Sequence, residues 1–339
     1  MSMRVLVIGF GESYHLGAVF QRAVKRLGHT ARLFDVRPYS VAPTIFHKLA
    51  YYVRGQKPLK YRLLNEHLLD TACAFMPDVV LVTGLAHANG KTLGGIRERT
   101  GAALVNYMTD DPFNPTHRRR DAIEAIPVYD LYVSTKRAVI PDLLKAGAQR
   151  TAFVRFAYDP ALHFPQIPSM ETAERWLSDV VFIGGADRDR VECLHPIAED
   201  SSIRLCLYGG SWHRHRQYRR YYRGFANGED YRYALSGTSV GLCLVRRANR
   251  DGHVMRTFEI PACGAFMLAE RTEEHLELFE EDKQVAFFSS PEELLDKARY
   301  YLRHPGQRAL IARAGHEHIT SHGHTYADRL RQILQIVDV

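Results

Sequence analysis

The sequence predicts an α/β protein with two Rossmann-like, doubly wound domains. Its 339 residues exceed the roughly 250 to 300 at which a single hydrophobic core usually divides. Apolar runs of strand length alternate with segments of helical periodicity along most of the chain. An apolar run that ends in a glycine turn occurs twice, at 4–11 and at 179–185, and each is predicted to open one domain.

The first domain is predicted over residues 1–160. It begins with a strand, a Gly-x-Gly turn and a helix that stops at Gly28. Five further apolar runs of strand length follow, at 30–34, 78–82, 102–107, 129–134 and 150–153. Because strands that alternate with helices form parallel sheets, we expect a site at the carboxyl ends of these strands.

The second domain is predicted over residues 161–322. Pro160, Pro165 and Pro168 interrupt the periodicity before it and mark a linker. The predicted strands of this domain are 179–183, 203–208, 240–245, 265–269 and 285–288.

The chain ends in helical sequence. Periodicity is strong over 291–315, and 325–337 predicts an amphipathic final helix. We expect the segment 323–339 to pack back on the first domain.

Composition indicates an ordinary globular protein, with 46% hydrophobic and 24% charged residues. No apolar run has the length of a membrane helix and no secretory signal is recognisable, so a cytoplasmic location is expected. Five cysteines, odd in number and without a Cys-x-x-Cys pair, argue against a disulfide framework or a cysteine zinc site.

The net charge of +7 favours anionic partners, which include nucleotide phosphates, anionic lipid and nucleic acid. Cations and aromatic residues interleave most densely at 213–223, as they often do in nucleic-acid binders. A solvated surface segment and a contact with an anionic membrane are the alternative interpretations of this stretch.

The first glycine turn resembles part of a dinucleotide-binding fingerprint, with Asp35 where a ribose-binding carboxylate would lie. The third glycine of the fingerprint is replaced by Tyr14. We therefore predict a turn that lines a cleft between the domains, with Gly11 and His15 on the acceptor side, and keep NAD or FAD binding as the alternative.

The most informative stretch is 251–269. Asp251 and Glu259 are separated by seven residues, and Ala-Cys-Gly and a strand follow. This pattern resembles the donor motif of retaining GT-B glycosyltransferases, and Arg256-x-x-Glu259 is similar to the CgeB-like family. The resemblance implies two Rossmann-like domains facing a central cleft, and a bacterial, hexosyltransferase-like enzyme.

In that family, a carboxylate such as Glu259 would bind the ribose diol of the donor, while Arg256 and the helix N-terminus meet its diphosphate. The residues alone also permit a simpler interpretation, in which Glu259 caps the helix and pairs with Arg256. The resemblance further assigns donor contacts to Gly184, Gly185, Arg188, Arg190, Tyr208 and Gly209, and a stacking contact with the base to Tyr231.

The chain departs from the family at Asp251, where a glutamate is usual. Its side chain is one methylene shorter and reaches less far toward the donor, so a non-catalytic nucleotide-binding protein is one alternative. A nucleic-acid-binding protein that uses 213–223 is the other alternative.

The resemblance implies sugar transfer with retention from a UDP-, GDP- or dTDP-sugar, without a metal or other cofactor. The candidate catalytic residues are His87, Asp110, Asp111 and Asp251. His87 follows a predicted strand and an imidazole is suited to proton transfer, although it could equally be a solvated loop histidine. Asp111 precedes a proline and could instead be a turn residue.

The candidate acceptors are a glycan, a lipid-linked molecule, a protein and a small molecule. Peripheral contact with the inner face of a membrane is also open, whereas nucleic acid is the less favoured partner.

Overall fold

The computed structural model describes residues 2–40, 51, 53, 55–116 and 118–337. The chain divides into two compact units, Met1–Arg155 with Tyr326–Val339 and Phe156–Thr325. The sequence placed these divisions after residues 160 and 322.

The first unit contains a six-stranded parallel sheet in the order β2-β1-β3-β4-β5-β6. The strands are β1 (Arg4–Gly9), β2 (Thr30–Asp35), β3 (Val79–Thr83), β4 (Ala103–Met108), β5 (Leu131–Ser134) and β6 (Thr151–Phe153). β1 pairs with β2 on one side and with β3 on the other, so the strand order reverses there. Such a reversal is where doubly wound sheets usually bind ligands.

The helices of this unit flank the sheet. They are α1 (Leu16–Arg26), α2 (Arg37–Ser40), α3 (Tyr61–Phe75), α4 (Gly90–Thr100), α5 (Arg120–Glu124) and α6 (Ile140–Lys145), with 3₁₀ turns at Ile126–Val128 and Arg137–Val139. α4 begins where the Asn89 side chain accepts a hydrogen bond from the Thr92 N–H, and it ends at Gly101, whose φ of 73° suits glycine.

The second unit contains a five-stranded parallel sheet in the order β11-β10-β9-β7-β8. The strands are β7 (Ser178–Ile183), β8 (Leu205–Tyr208), β9 (Thr238–Cys243), β10 (Met267–Glu270) and β11 (Ala286–Phe288). Here the order reverses between β7 and β9, since β7 pairs with β8 on its other side. The two parallel, doubly wound sheets confirm the predicted fold class.

The helices of the second unit are α7 (Met170–Trp176), α8 (Arg188–Cys193), α9 (His195–Glu199), α10 (Glu229–Ser236), α11 (Arg256–Ala262), α12 (Glu273–Leu278), α13 (Pro291–Arg303) and α14 (Pro305–Ser321), with 3₁₀ helices at Trp212–Arg214, Arg216–Tyr221 and Arg247–Asn249. They cover both faces of the sheet. Val181 and Ile183 belong to one buried cluster, and Val180 and Phe182 to another. A strand buried on both faces reads as an unbroken apolar run, which explains why β7 was easy to predict.

The helical sequence at 291–315 forms two helices rather than one. α13 ends at Arg303 and α14 begins with Pro305. Proline suits a first helical position because its missing N–H would have no partner there.

The final helix, α15 (Tyr326–Val337), belongs to the first unit and packs on α1. The Tyr326 and Phe20 rings meet edge to face at 5.3 Å. Among the described residues, no helix is long and apolar enough to cross a membrane.

Candidate functional site

The guanidinium of Arg190 occupies the point in the second unit where the strand order reverses. Its Nη1 donates to the Gly185 carbonyl after β7 at 3.2 Å, and its Nη2 donates to the Leu244 carbonyl after β9 at 3.1 Å. The guanidinium also lies over the Phe182 ring, 5.2 Å from its centre. Arg190 therefore joins the carboxyl ends of the two strands that flank the expected ligand position.

The start of α8 fixes Arg190. The Asp187 side chain accepts a hydrogen bond from the Arg190 N–H at 3.1 Å, and its other oxygen lies 3.3 Å from Nη1. Burial is the main cause that lowers the Arg190 pKa; the Asp187 carboxylate opposes this, and the charges of Arg256 and Arg246 add to it. Each of these three arginines forms an ion pair with a carboxylate, namely Asp187, Glu259 or Asp251, so their positive charges are partly compensated in the free protein.

Glu259 provides the buried carboxylate of the same region, with only 4% of the residue exposed. Its Oε2 accepts a hydrogen bond from the Tyr231 hydroxyl at 3.0 Å and lies 3.9 Å from Arg256 Nε. Arg256 Nε donates at 2.9 Å to the carbonyl of Ile183, the last residue of β7. α11 therefore brings Glu259 and Arg256 to the strand ends that Arg190 joins.

The simpler interpretation of α11, in which Glu259 caps the helix and pairs with Arg256, holds only for the pairing. The N-cap residue Met255 makes no side-chain capping hydrogen bond, whereas Glu259 Oε2 lies 3.9 Å from Arg256 Nε. The Tyr231 ring is buried, and its hydroxyl is held by Glu259. A ring that stacks on a base needs an exposed face, and Tyr231 instead serves as a hydrogen-bond donor to the carboxylate.

His163 completes the surroundings of Glu259, and the sequence did not indicate it. Its Nε2 lies 3.6 Å from Glu259 Oε1. The backbone N–H of Asp159 donates to its Nδ1 at 3.1 Å, so the neutral imidazole carries its proton on Nε2. Burial lowers the His163 pKa despite the nearby Glu259 and Asp159 carboxylates. Only its position in the proline-interrupted linker could have drawn attention to it.

Two glycine turns pack against each other at the ends of β7 and β8. Gly184 N–H donates to the Tyr208 carbonyl at 2.8 Å, and Trp212 Nε1 donates to the Gly184 carbonyl at 2.8 Å. Gly209 has a φ of 119°, and a Cβ there would lie 2.5 Å from the Gly184 oxygen. Position 209 therefore requires glycine for close backbone approach, and a Cβ at position 184 would lie 2.7 Å from the Phe182 ring.

Arg188 lies apart from the contacts made by Arg190. Its side chain is 89% exposed and pairs with Glu192 at 2.9 Å, one helical turn further along α8. A pair of this kind stabilises a helix surface and orients nothing toward the strand ends.

Asp251 is buried in the loop between β9 and α11. One carboxylate oxygen accepts from the Arg246 N–H at 3.2 Å, and the other accepts from Asn249 Nδ2 at 2.8 Å. These contacts close the loop on itself, and they account for an acidic residue at position 251.

The buried, neutral imidazole of His275 contacts α11 through Thr257. His275 Nδ1 donates to the Glu270 carbonyl at 2.7 Å, and the Thr257 hydroxyl donates to its Nε2 at 2.8 Å. Burial is the main cause that lowers the pKa of His275 to about 4.

In the first unit, His87 follows β3 but is not a solvated histidine, because only 7% of it is exposed. Arg119 Nη1 donates to its Nδ1 at 2.5 Å. Burial, and then the charge of Arg119, lower the His87 pKa to about 3. An imidazole with so low a pKa is neutral and a weak general base at physiological pH.

Asp110 and Asp111 follow β4. Asp111 is buried, and its Oδ1 accepts from the Phe113 N–H at 2.9 Å, as in the turn that the sequence offered as an alternative. Asp110 is half-buried.

Gly11 and His15 lie at the end of β1. The Gly11 N–H donates to Asp35 Oδ1 at 3.0 Å, and the same oxygen accepts from the Arg37 N–H at 2.9 Å. The carboxylate that a dinucleotide would need is thus engaged by the protein's own backbone. The His15 side chain precedes α1 and is 44% exposed.

The basic stretch 213–223 turns its aromatic residues inward. The Tyr218 hydroxyl donates to the Val191 carbonyl at 2.5 Å, and the Tyr221 hydroxyl donates to Ala198. Because side chains three residues apart eclipse in a 3₁₀ helix, the arginines between the tyrosines face outward. The result is a cationic surface on which Tyr218 is buried and Tyr221 and Tyr222 are half-buried. Among the described residues, no group of three or more His, Cys, Asp or Glu could hold a metal ion.

Comparison with known proteins gives two findings on the family and the fold. Residues 188–335 match the family model described as glycosyl transferase-like. No curated protein matches the chain. HepE from Anabaena, solved in complex with UDP-glucose, has 15% sequence identity over 99% of each chain and a TM-score of 0.67. Sucrose-phosphate synthase from Thermosynechococcus elongatus has 11% identity over 99% of this chain and 98% of that chain, with a TM-score of 0.67.

The fold is GT-B. The lipopolysaccharide outer core galactosyltransferase WaaB is another GT-B neighbour, with 10% identity over 98% of this chain and 99% of that chain and a TM-score of 0.56. At such identities, the likeness establishes the GT-B fold, while the activity has to be argued from the site.

Proposed function

We propose that this protein is a glycosyltransferase that uses a nucleoside diphosphate sugar as donor. The observation that carries the proposal is the buried carboxylate of Glu259 beside the guanidiniums of Arg256 and Arg190, where the strand order reverses. A carboxylate can accept hydrogen bonds from a ribose diol, and guanidiniums bind diphosphate oxygens with two parallel hydrogen bonds. The family match at 188–335 covers this region.

Arg190 and Arg256 would neutralise the diphosphate as it leaves the sugar. Burial of these guanidiniums strengthens their attraction to an anion. We propose that this protein charge, rather than a divalent ion or another cofactor, stabilises the leaving group. The Arg256-x-x-Glu259 spacing supports a place in the CgeB-like branch, from which retention and a hexose donor follow as proposals.

Among the four candidate catalytic residues, Asp110 is the one we propose for the acceptor side. His87 is buried against Arg119, and the side chains of Asp111 and Asp251 are buried with partners in their own loops. Asp110 is half-buried after β4. Gly11 and His15 follow β1 and would border the acceptor. The acceptor classes remain glycan, lipid-linked molecule, protein and small molecule.

The cationic surface at 213–223 supports contact with an anionic bilayer at the inner face of a cytoplasmic membrane. The 28 residues from 201 to 228 contain no aspartate or glutamate, and Phe225 is 65% exposed beside the arginines. Outward arginines with one apolar side chain suit a lipid surface. Nucleic acid is the weaker alternative because Tyr218 is buried and the Tyr221 hydroxyl is bonded to Ala198, which leaves few rings to stack on bases.

A thermal-shift titration with UDP, GDP, dTDP, CDP, NAD and a short DNA tests the donor site. A ligand at 100 times its dissociation constant adds about 2.7 kcal/mol of stability. We expect one nucleoside diphosphate to stabilise the wild type and the Arg188→Ala control, but not Glu259→Ala or Arg190→Ala. Arg188 is the matched control because it lies on the same helix as Arg190 and is exposed.

Turnover then separates the enzyme from a non-catalytic relative. Release of the nucleoside diphosphate from its sugar conjugate, with or without acceptor, is expected from an enzyme. Nucleotide binding without any release would favour the non-catalytic alternative, and stabilisation by DNA or NAD alone would refute the proposed donor site.

A further inference from the structure

The two oxygens of the Glu259 carboxylate have different surroundings. Oε2 accepts the hydrogen bond from Tyr231. Oε1 accepts none from the described residues, and its close polar neighbour is Nε2 of His163 at 3.6 Å, which is beyond hydrogen-bond length. Glu259 Oε1, a hydrogen-bond acceptor, and His163 Nε2–H, a donor, are therefore neighbours that do not form a hydrogen bond with each other.

The N–H of His163 is fixed in this position. Asp159 N–H occupies Nδ1, which leaves the proton of the neutral ring on Nε2. The His163 backbone N–H also bonds to the Asp159 carbonyl at 2.8 Å, so the ring sits on a closed turn. The edge of the ring packs against Tyr231 at 5.7 Å. The donor thus has one orientation, toward Glu259.

The segment that carries His163 is clamped by the helix that carries Tyr231. Arg232 Nη1 donates to the Leu162 carbonyl at 3.0 Å, and its guanidinium lies 4.3 Å from the centre of the Phe164 ring. Gln166 Nε2 donates to Glu229 Oε1 at 2.9 Å. Contacts on both sides of His163 therefore hold its segment against α10, the helix that carries Tyr231.

We propose that Glu259 Oε1 and His163 Nε2 form a two-point receptor for the vicinal diol of the donor ribose. One hydroxyl donates to Oε1, and the oxygen of its neighbour accepts from Nε2–H. The two oxygens of a ribose diol are about as far apart as two hydrogen-bonded oxygens, roughly 2.8 Å, which matches a receptor whose atoms are 3.6 Å apart. This inference rests on the proposed function and makes His163 a binding residue for the ribose.

The test uses the tightest-binding of UDP, GDP and CDP, together with its 2′-deoxy and 3′-deoxy analogues. Dissociation constants are measured by calorimetry for the wild type, His163→Ala and Glu259→Gln. The control is His195→Ala, an exposed histidine on α9 that pairs with Glu199. We expect the wild type to prefer the ribonucleotide over each deoxy analogue by roughly tenfold or more, the worth of one hydrogen bond.

Each variant should lose its preference against a different analogue. His163→Ala should bind the ribonucleotide and one of the two deoxy analogues with equal dissociation constants. Glu259→Gln should lose its preference over the other analogue, and His195→Ala should show the same preferences as the wild type. His163→Gln, whose side-chain amide can donate from near the Nε2 position, should recover part of the lost preference. Tryptophan fluorescence and circular dichroism check that each variant is folded.

The outcomes separate the two proposals. If the wild type binds none of UDP, GDP, CDP and dTDP, the proposed function fails and the receptor fails with it. If the wild type binds dTDP alone, which lacks the 2′-hydroxyl, the proposed function stands and the receptor for a vicinal diol is refuted. If the wild type binds one of them and His163→Ala keeps the full preference against both analogues, the donor site stands and the role of His163 is refuted.

Discussion

Acidification should destabilise the second unit through His275. Both ring nitrogens are used in the neutral form, by the Glu270 carbonyl and by Thr257, and burial holds the pKa near 4. In the unfolded chain the same side chain titrates at 6.5. Below pH 6.5, His275 is protonated in the unfolded state but stays neutral in the native state. The free energy of unfolding therefore decreases as the pH falls from 6.5 to about 4.

The size of this effect follows from the two pKa values. At about 1.4 kcal/mol for each pH unit, the whole difference amounts to roughly 3 kcal/mol below pH 4. Between pH 7 and pH 5, about 2 kcal/mol of the free energy of unfolding should be lost through His275.

The chain offers a probe for this measurement. Its two tryptophans, Trp176 and Trp212, both lie in the second unit, so urea unfolding followed by tryptophan fluorescence reports on that unit. The comparison is His275→Asn, whose amide can donate to the Glu270 carbonyl from near the Nδ1 position and does not titrate. If the free energy of unfolding falls by the same amount in the wild type and in His275→Asn between pH 7 and pH 5, His275 is not the cause of the acid destabilisation.

Three further substitutions have expected outcomes. Gly209→Ala places a methyl 2.5 Å from the Gly184 oxygen at a φ of 119°, so scanning calorimetry should show a loss of at least about 2 kcal/mol. Trp212→Phe leaves the Gly184 carbonyl without its donor and should cost about 1–3 kcal/mol, measured by urea unfolding followed by circular dichroism. Asp251→Asn weakens the contact with the Arg246 N–H, so stability should fall by about 1–2 kcal/mol while the dissociation constant of the nucleotide changes little. A hundredfold fall in turnover at unchanged stability would instead make Asp251 catalytic.

The sequence predicted the two sheets because strands buried on both faces appear as apolar runs, and the runs of β1 and β7 end in glycines. It did not predict the break between α13 and α14, although Pro305 is the first residue of α14 and marks the position where a new helix begins.

The residues of the candidate site were also only partly predictable from the sequence. Arg256 and Glu259 lie three residues apart on one helix, so a local motif could indicate both. The partners of Glu259, in contrast, come from His163 and Tyr231, which lie on separate segments far away in sequence. Spacing along the chain holds no information about contacts of that kind.

His87 and Asp251 illustrate what sequence reasoning misses at polar residues. The sequence indicated the loops on which they lie, but their burial depends on Arg119 in one case and on the Arg246–Asp251 loop in the other. Desolvation, which sets the pKa of His87, is a property of the surroundings in three dimensions.

The sequence by itself determined the alternation of strands and helices, the turns that require glycine and the helix that carries Arg256 and Glu259, because these depend on local periodicity and backbone conformation. Only the tertiary structure decided which residues meet the Glu259 carboxylate, which arginine joins the strand ends and which candidate residues are buried. Those choices depend on the crossover order of the strands, which brings together segments more than fifty residues apart in the chain.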